Sequence, residues 1–134
     1  MRTLILAMLL LIPVSAKAAY QPWVCPASGT GMGVTGNVSS VPLFTPPSTG
    51  WYDVRVYISP GASVVLGSAA FTVTYTENGV ARTMTGPSMS VATLAAVPVP
   101  ALIGIPADAA PVAFSIASTV GNYNYRVCYR QSAS

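Results

Sequence analysis

Apolar and polar residues alternate along several stretches of this chain, and Pro or Gly residues separate the stretches at short intervals. A period of two residues is typical of a β-strand with one face on a core and the other face in solvent. The alternation is clearest in residues 50–58. One face of that stretch carries Tyr52, Val54, Val56 and Ile58, and the other carries Trp51, Asp53, Arg55 and Tyr57.

The same pattern predicts further short strands, whereas the segment 19–36 is predicted to be irregular. Asn78-Gly79 predicts a tight hairpin turn, because both residues readily adopt positive φ angles. Regular spacing of about seven or eight strands predicts an all-β fold, a single antiparallel β-sandwich or jelly-roll-like domain. The other predicted strands are residues 37–44, 68–76, 80–85, 89–94, 101–105, 112–118 and 123–130.

Residues 1–18 have the features of a cleavable signal peptide. Arg2 provides a positive charge, residues 4–14 are apolar, and Ala16-Lys17-Ala18 fits the small-residue rule for cleavage. The apolar run is too short to span a bilayer, which needs about 20 residues. We therefore predict a secreted, periplasmic or cell-surface domain of residues 19–134 that has no stable membrane insertion after cleavage.

Cys25 and Cys128 are the two cysteines of the chain, and they bracket nearly all of the predicted strands. Two thiols in an exported protein usually pair, so we predict a disulfide between them. Cys128 falls on the polar face of the last predicted strand. The disulfide is therefore expected to hold the N-terminal segment against the outside of the sandwich, with Trp23 packed nearby.

Charge and side-chain chemistry exclude several classes of function. After signal cleavage four arginines face three acids, so the net charge is only +1 and gives no argument for nucleic-acid binding. The chain has no histidine, the usual general base and the commonest metal ligand. A glycosidase needs a pair of carboxylates, and the three acids of the chain do not suggest such a pair. They are Asp53, Glu77 and Asp108, and Asp53 is expected to pair with Arg55 at the surface. We expect no catalytic residues, no metal and no cofactor.

The candidate binding surface is the polar face of the strongest predicted strand, formed by Trp51, Asp53, Arg55 and Tyr57. Aromatic rings beside hydrogen-bonding groups suit either a protein interface or the stacking of a sugar. The alternative is that a loop covers this face. A weakly charged surface also favours association with a partner or with further copies of the chain.

Several segments resemble small β-sandwich proteins that phage and bacterial genomes often encode near virion structural genes. The resemblance implies a structural or attachment role without catalytic residues. The signal peptide and the cysteine pair depart from that family and favour a secreted relative. The resemblance covers roughly residues 44–130 and is carried by residues 50–57, 71–79, 81–83 and 125–127.

Pilins assembled by chaperones are a second comparison, since they are exported, disulfide-bonded β-sandwiches. Gly121 matches the position of the glycine in their final strand, but Ala133 stands where they have an aromatic residue. The sequence therefore predicts a secreted, non-catalytic structural or surface-binding module that belongs to an assembly. A carbohydrate-binding module and a pilin-like subunit are the alternatives.

Overall fold

The computed structural model describes residues 21–61, 67–91 and 99–132, which form two packed antiparallel β-sheets. The predicted all-β sandwich is confirmed. The predicted signal peptide lies outside the described residues. Among the described residues, no helix has the length and apolar character needed to cross a membrane. The strands are β1 (Thr30–Val34), β2 (Val38–Phe44), β3 (Gly50–Pro60), β4 (Gly67–Glu77), β5 (Val80–Thr85), β6 (Met89–Val91), β7 (Val99–Ala107), β8 (Val112–Ser118) and β9 (Tyr123–Gln131).

The strand order is that of a jelly roll. Sheet A has the order β1-β9-β3-β7, and sheet B has the order β2-β8-β4-β5, with β6 also paired to β4. Apart from the β4–β5–β6 run, each successive strand crosses to the other sheet. This alternation is how a jelly roll brings distant parts of the chain together.

The core lies between the sheets and is built from the apolar face of each strand. Tyr52, Val54, Val56 and Ile58 of β3 are fully buried, as their alternation predicted. From the opposite sheet, the Phe71 and Phe114 side chains meet them, with the two ring centroids 5.9 Å apart. Burying a side chain of this size contributes about 1.5–3 kcal/mol. The core thus takes the apolar face of each strand, and the opposite face of each sheet lies on the outside of the protein.

Strand β1 was not predicted, since its residues lie in the segment 19–36 that was expected to be irregular. The sequence Thr30–Val34 has no alternation that would reveal a strand. It pairs with β9 through its backbone, across a register irregularity between Gly31 and Val34. Gly31 allows this close approach, because a Cβ at that position would overlap the ring of Tyr125.

Strand β7 is longer than the predicted segment 101–105. It runs from Val99 to Ala107, and it includes Pro100 and Pro106. Within the described residues it pairs with β3 alone, so it forms an edge of sheet A. Proline is tolerated at an edge because its missing N–H faces away from the ladder.

The predicted hairpin at Asn78-Gly79 is confirmed, with φ angles of 50° and 75°. A carboxylate oxygen of Asp108 accepts a hydrogen bond from the Gly79 N–H at 2.8 Å. Glu77 forms an exposed salt bridge with Arg82 at 3.4 Å across the hairpin. Two of the three acids of the chain thus stabilise this end of sheet B.

The N-terminal strap, residues 21–26, runs beside β9 at the edge of sheet A, and its Trp23 ring lies over the outer face of the sheet. Cys25 and Cys128 form a disulfide, and Val24 makes an isolated antiparallel bridge with Tyr129. Both backbone hydrogen bonds of that bridge are short, at 2.8 and 2.9 Å. The predicted peripheral position of the disulfide is confirmed.

Replacing Cys25 by Ser is expected to lower the melting temperature by roughly 10 °C or more. The disulfide joins residues 103 positions apart, and a loop of that size is worth about 4–5 kcal/mol in the chain-entropy description. Cys25 is the better site for the change because it is exposed, whereas Cys128 is buried. Differential scanning calorimetry checks the shift, and reduced wild-type protein should melt near the variant. Two free thiols in the folded, unreduced protein would contradict the prediction.

A second prediction concerns alkaline pH. Burial raises the pKa of Tyr123, and the neighbouring Tyr125 adds to the rise; burial also raises the pKa of Tyr125. The unfolded chain releases these protons near pH 10 while the folded protein retains them. The stabilisation is therefore complete below about pH 10 and is lost as the pH rises further.

Urea unfolding from about pH 9 to about pH 11 should show this loss, and Tyr123→Phe should make the decline shallower. The variant also lacks the hydrogen bond that the Tyr123 hydroxyl donates to the Gly36 carbonyl at 2.7 Å, which lowers its stability at every pH. The quantity to compare is therefore the slope of the unfolding free energy against pH. An unchanged slope would show that Tyr123 does not contribute.

Candidate functional site

The outer face of sheet A carries every residue of the predicted binding surface. Trp51, Asp53, Arg55 and Tyr57 alternate with the buried residues of β3, and none of them is buried. On the neighbouring strands, Arg130 lies opposite Asp53, and Arg126 lies opposite Tyr57. The alternation along β3 thus predicted that these four residues share one face. The register of β3 with β9 shows which residues lie beside them.

Trp23 of the strap covers the middle of this face. Its ring lies 4.1 Å from the guanidinium carbon of Arg55 and 4.4 Å from that of Arg130. The Arg55 guanidinium also lies 4.8 Å from the Tyr57 ring centroid. Stacked cation–π contacts of this kind stabilise partly buried rings and guanidiniums together. The strap therefore fixes the positions of the two arginines.

Asp53 does not pair with Arg55, so that expectation was wrong. Its carboxylate accepts hydrogen bonds from Arg130 Nε at 3.0 Å and from the Ser132 hydroxyl at 2.8 Å. The reason is geometric: directly opposed residues on adjacent strands are about 5 Å apart, closer than residues two apart on one strand. Arg55 is left with aromatic neighbours instead.

Two cavities flank the strap, and Arg55 borders both. The first, of about 440 Å³, is named here the Tyr57 cavity. The second, of about 480 Å³, is named the Leu102 cavity, and it is lined by Trp23, Arg55, Pro100, Ala101, Leu102 and Arg130. Besides Tyr57 and the cysteines, the Tyr57 cavity is lined by Thr30, Met32, Arg55, Ser59, Asn124, Tyr125 and Arg126.

The Tyr57 cavity combines an aromatic ring with hydrogen-bonding groups. Within the described chain, the hydroxyls of Thr30, Tyr57 and Ser59 form no hydrogen bond to another residue. Asn124 accepts a hydrogen bond from the Gly33 N–H at 2.8 Å through its carbonyl oxygen, which leaves its amide N–H groups as donors. A few polar groups around an apolar surface are typical of small-molecule sites of this size.

Trp51 lies away from both cavities. It is 59% exposed, and it stands six residues from Tyr57 on the same strand, which corresponds to about 20 Å. The structure thus separates the predicted surface into a cavity end with Arg55 and Tyr57 and an open end with Trp51. The sequence pattern did not identify Thr30 and Asn124 as site residues, because only the strand register brings them beside Tyr57. Ser59 follows Tyr57 on the same face of β3, but it lies beyond the predicted end of that strand at residue 58.

The site offers no arrangement for metal binding among the residues that the structure describes. No group of three or more His, Cys, Asp or Glu side chains occurs there. Asp53 is the acid of the outer face, and its oxygens already accept hydrogen bonds. The available chemistry is therefore stacking, hydrogen bonding and positive charge.

Comparison with known proteins does not assign this chain to a family. No family model and no curated protein matches the chain. One similar solved structure is an endo-1,4-β-D-xylanase 10B fragment from Clostridium thermocellum with CBM22-1 and GH10 modules, complexed with xylohexaose. The match has 13% identity and a TM-score of 0.44, and it covers 87% of this chain and 27% of that one. The chain therefore spans about a quarter of that structure's length.

A second similar structure is the carbohydrate-binding module CBM6cm-2 of lichenase 5A from Cellvibrio mixtus, in complex with cellotriose. It is 16% identical with a TM-score of 0.39, and the match covers 88% of this chain and 91% of that one. Both matches are of low similarity.

The two tryptophans on this face should differ in their effect on stability. Trp23→Ala removes a ring that contacts two guanidiniums and is expected to lower the free energy of unfolding by about 2 kcal/mol. Trp51→Ala is the matched control, and since Trp51 is largely exposed, its effect should stay within about 0.5 kcal/mol. Urea titrations followed by circular dichroism measure both values. Equal losses would contradict the role assigned to Trp23.

Proposed function

We propose that this chain is an exported, non-catalytic carbohydrate-binding module that takes its ligand in the Tyr57 cavity. The observation that carries the proposal is that one cavity of about 440 Å³ combines an aromatic ring with hydroxyls that have no hydrogen-bond partner among the described residues. A sugar presents apolar C–H faces and a ring of hydroxyls, so it needs both kinds of group. Small-molecule sites usually have volumes of about 300–1,000 Å³, which suits one or two sugar units here.

The disulfide supports a location outside the reducing cytosol. It also positions the cavity, because Cys25 and Cys128 line one side of it. Among the residues that line the cavity, the two cysteines are held by a covalent bond, and Arg55 is held against the ring of Trp23. Such preorganisation reduces the entropic cost of binding.

A role in binding without catalysis agrees with the positions of the acids. Glycoside hydrolysis by the common mechanisms needs two carboxylates on either side of the scissile bond. Asp53 is held by Arg130 and Ser132 on sheet A, whereas Glu77 and Asp108 stabilise the hairpin of sheet B. No pair of these carboxylates borders the Tyr57 cavity.

The test uses the oxidised chain from residue 19 onward on an array of neutral and acidic glycans, followed by calorimetric titration of the hits. Tyr57→Ala should weaken binding at least tenfold, because stacking and a hydrogen-bonding hydroxyl are lost together. Trp51→Ala is the control, since it removes an aromatic side chain from the same strand face outside the cavity, and it should change the affinity less than twofold. No binding to any glycan, or equal losses in both variants, would overturn the proposal.

A second candidate function is a structural or attachment role in an assembly, through self-association or a protein partner. It is favoured by three exposed apolar side chains on the outer face of sheet A: Met32, Trp51 and Leu102 are 76%, 59% and 58% exposed. Exposed apolar side chains on one face are typical of interaction surfaces. Light scattering on the same sample would support this candidate if a dimer or larger species forms and Leu102→Glu prevents it.

A further inference from the structure

This protein has so few acids that the partner of each one can be named. Asp53, Glu77 and Asp108 are the only acids in the sequence. Asp53 pairs with Arg130, Glu77 pairs with Arg82, and Asp108 accepts a hydrogen bond from the Gly79 backbone. All three carboxylates are therefore already bound to partners away from the Tyr57 cavity.

Arg55 and Arg126 are left without a carboxylate, and both line the Tyr57 cavity. In the described part of the chain, neither of them forms a salt bridge. Arg126 is exposed and lies directly opposite Tyr57 on β9. Arg55 precedes Tyr57 by two residues on the same face of β3. Two positive charges thus flank one aromatic ring, with no acid among the cavity residues.

The positive charge of Arg55 is only partly balanced by its neighbours. Its Nε is buried and has no hydrogen-bond partner among the residues that the structure describes, and its guanidinium contacts the rings of Trp23 and Tyr57. A buried donor without a partner is costly, and the cost is larger for a charged group. An anionic group bound in the cavity would supply the missing countercharge. The guanidinium is suited to carboxylate and sulfate groups, which it can bind through two parallel hydrogen bonds.

We infer that the Tyr57 cavity binds an acidic carbohydrate, a glycan whose sugar units carry carboxylate or sulfate groups. The inference rests on the proposed function and specifies its ligand class. The sugar ring would lie against Tyr57 and the unengaged hydroxyls, and its anionic group would lie near Arg126 and Arg55. No acid lines the cavity, and Asp53, the acid on the same sheet face, is already paired with Arg130, so the cavity has a net positive charge.

The experiment compares ligands that share a sugar backbone and differ in whether it carries anionic groups. Oligogalacturonate and its methyl ester have the same sugar units, and the ester lacks the charge. Dextran sulfate and dextran form the equivalent pair for sulfate. We expect oligogalacturonate or dextran sulfate to bind at least tenfold more tightly than its neutral counterpart in calorimetric titrations, and the pair that shows the difference identifies the anionic group. Added salt should weaken that binding.

Arg126→Gln tests the site directly, and Arg82→Gln is its matched control. Both variants remove one positive charge, but Arg82 lies on β5 of sheet B, outside the cavity. We expect Arg126→Gln to weaken binding of the acidic glycan at least tenfold and Arg82→Gln to change it less than twofold. Arg126 is preferred to Arg55 because it is exposed and does not support Trp23.

Three outcomes separate the two proposals. Equal losses in Arg126→Gln and Arg82→Gln would indicate non-specific attraction of a polyanion and would overturn the inference. Tight binding of neutral and acidic glycans alike, abolished by Tyr57→Ala and unaffected by Arg126→Gln, would overturn the acidic ligand and leave the proposed function standing. Binding of neither kind of glycan would overturn both.

Discussion

The pairing of β3 on both of its sides is the interaction on which the rest of the structure depends. Its backbone is in register with β7 from Gly50 to Ile58 and with β9 from Tyr52 to Pro60. Because side chains alternate along a strand, this one element supplies fully buried residues to the core and the polar row to the outer face. A slip of one residue would exchange the two sets, so burial of the core also fixes the site.

The strap converts an open sheet face into a face with defined cavities. Without it, Arg55 would lose the Trp23 ring, and Arg130 would be held on this face by Asp53. With it, Trp23 contacts both guanidiniums, and the disulfide holds the backbone beside them. The covalent link, the stacked ring and the Asp53–Arg130 pair therefore act together, since each limits the movement of the same few side chains.

The sequence predicted those parts of the fold that depend on local periodicity. The strand bounds of β5 and β8, the hairpin at Asn78-Gly79 and the inward faces of β3 and β4 all follow from alternation or turn chemistry. Strand β1 could not be predicted, because backbone pairing with β9 creates it and its side chains have no pattern. The cavity residues Thr30 and Asn124 could not be predicted either, because register between distant strands brings them to Tyr57.

The prolines of β7 have a consequence for the behaviour of the protein in solution. With 7% charged residues, the chain has little electrostatic repulsion to keep its copies apart. An open sheet edge in such a protein is a template for strand addition and aggregation. One edge of β7 is unpaired in the part of the chain that the structure describes, and Pro100 and Pro106 leave that edge without two of the donors that an incoming strand would need. The residues that interrupt the strand pattern in the sequence therefore protect the folded protein against edge-to-edge polymerisation.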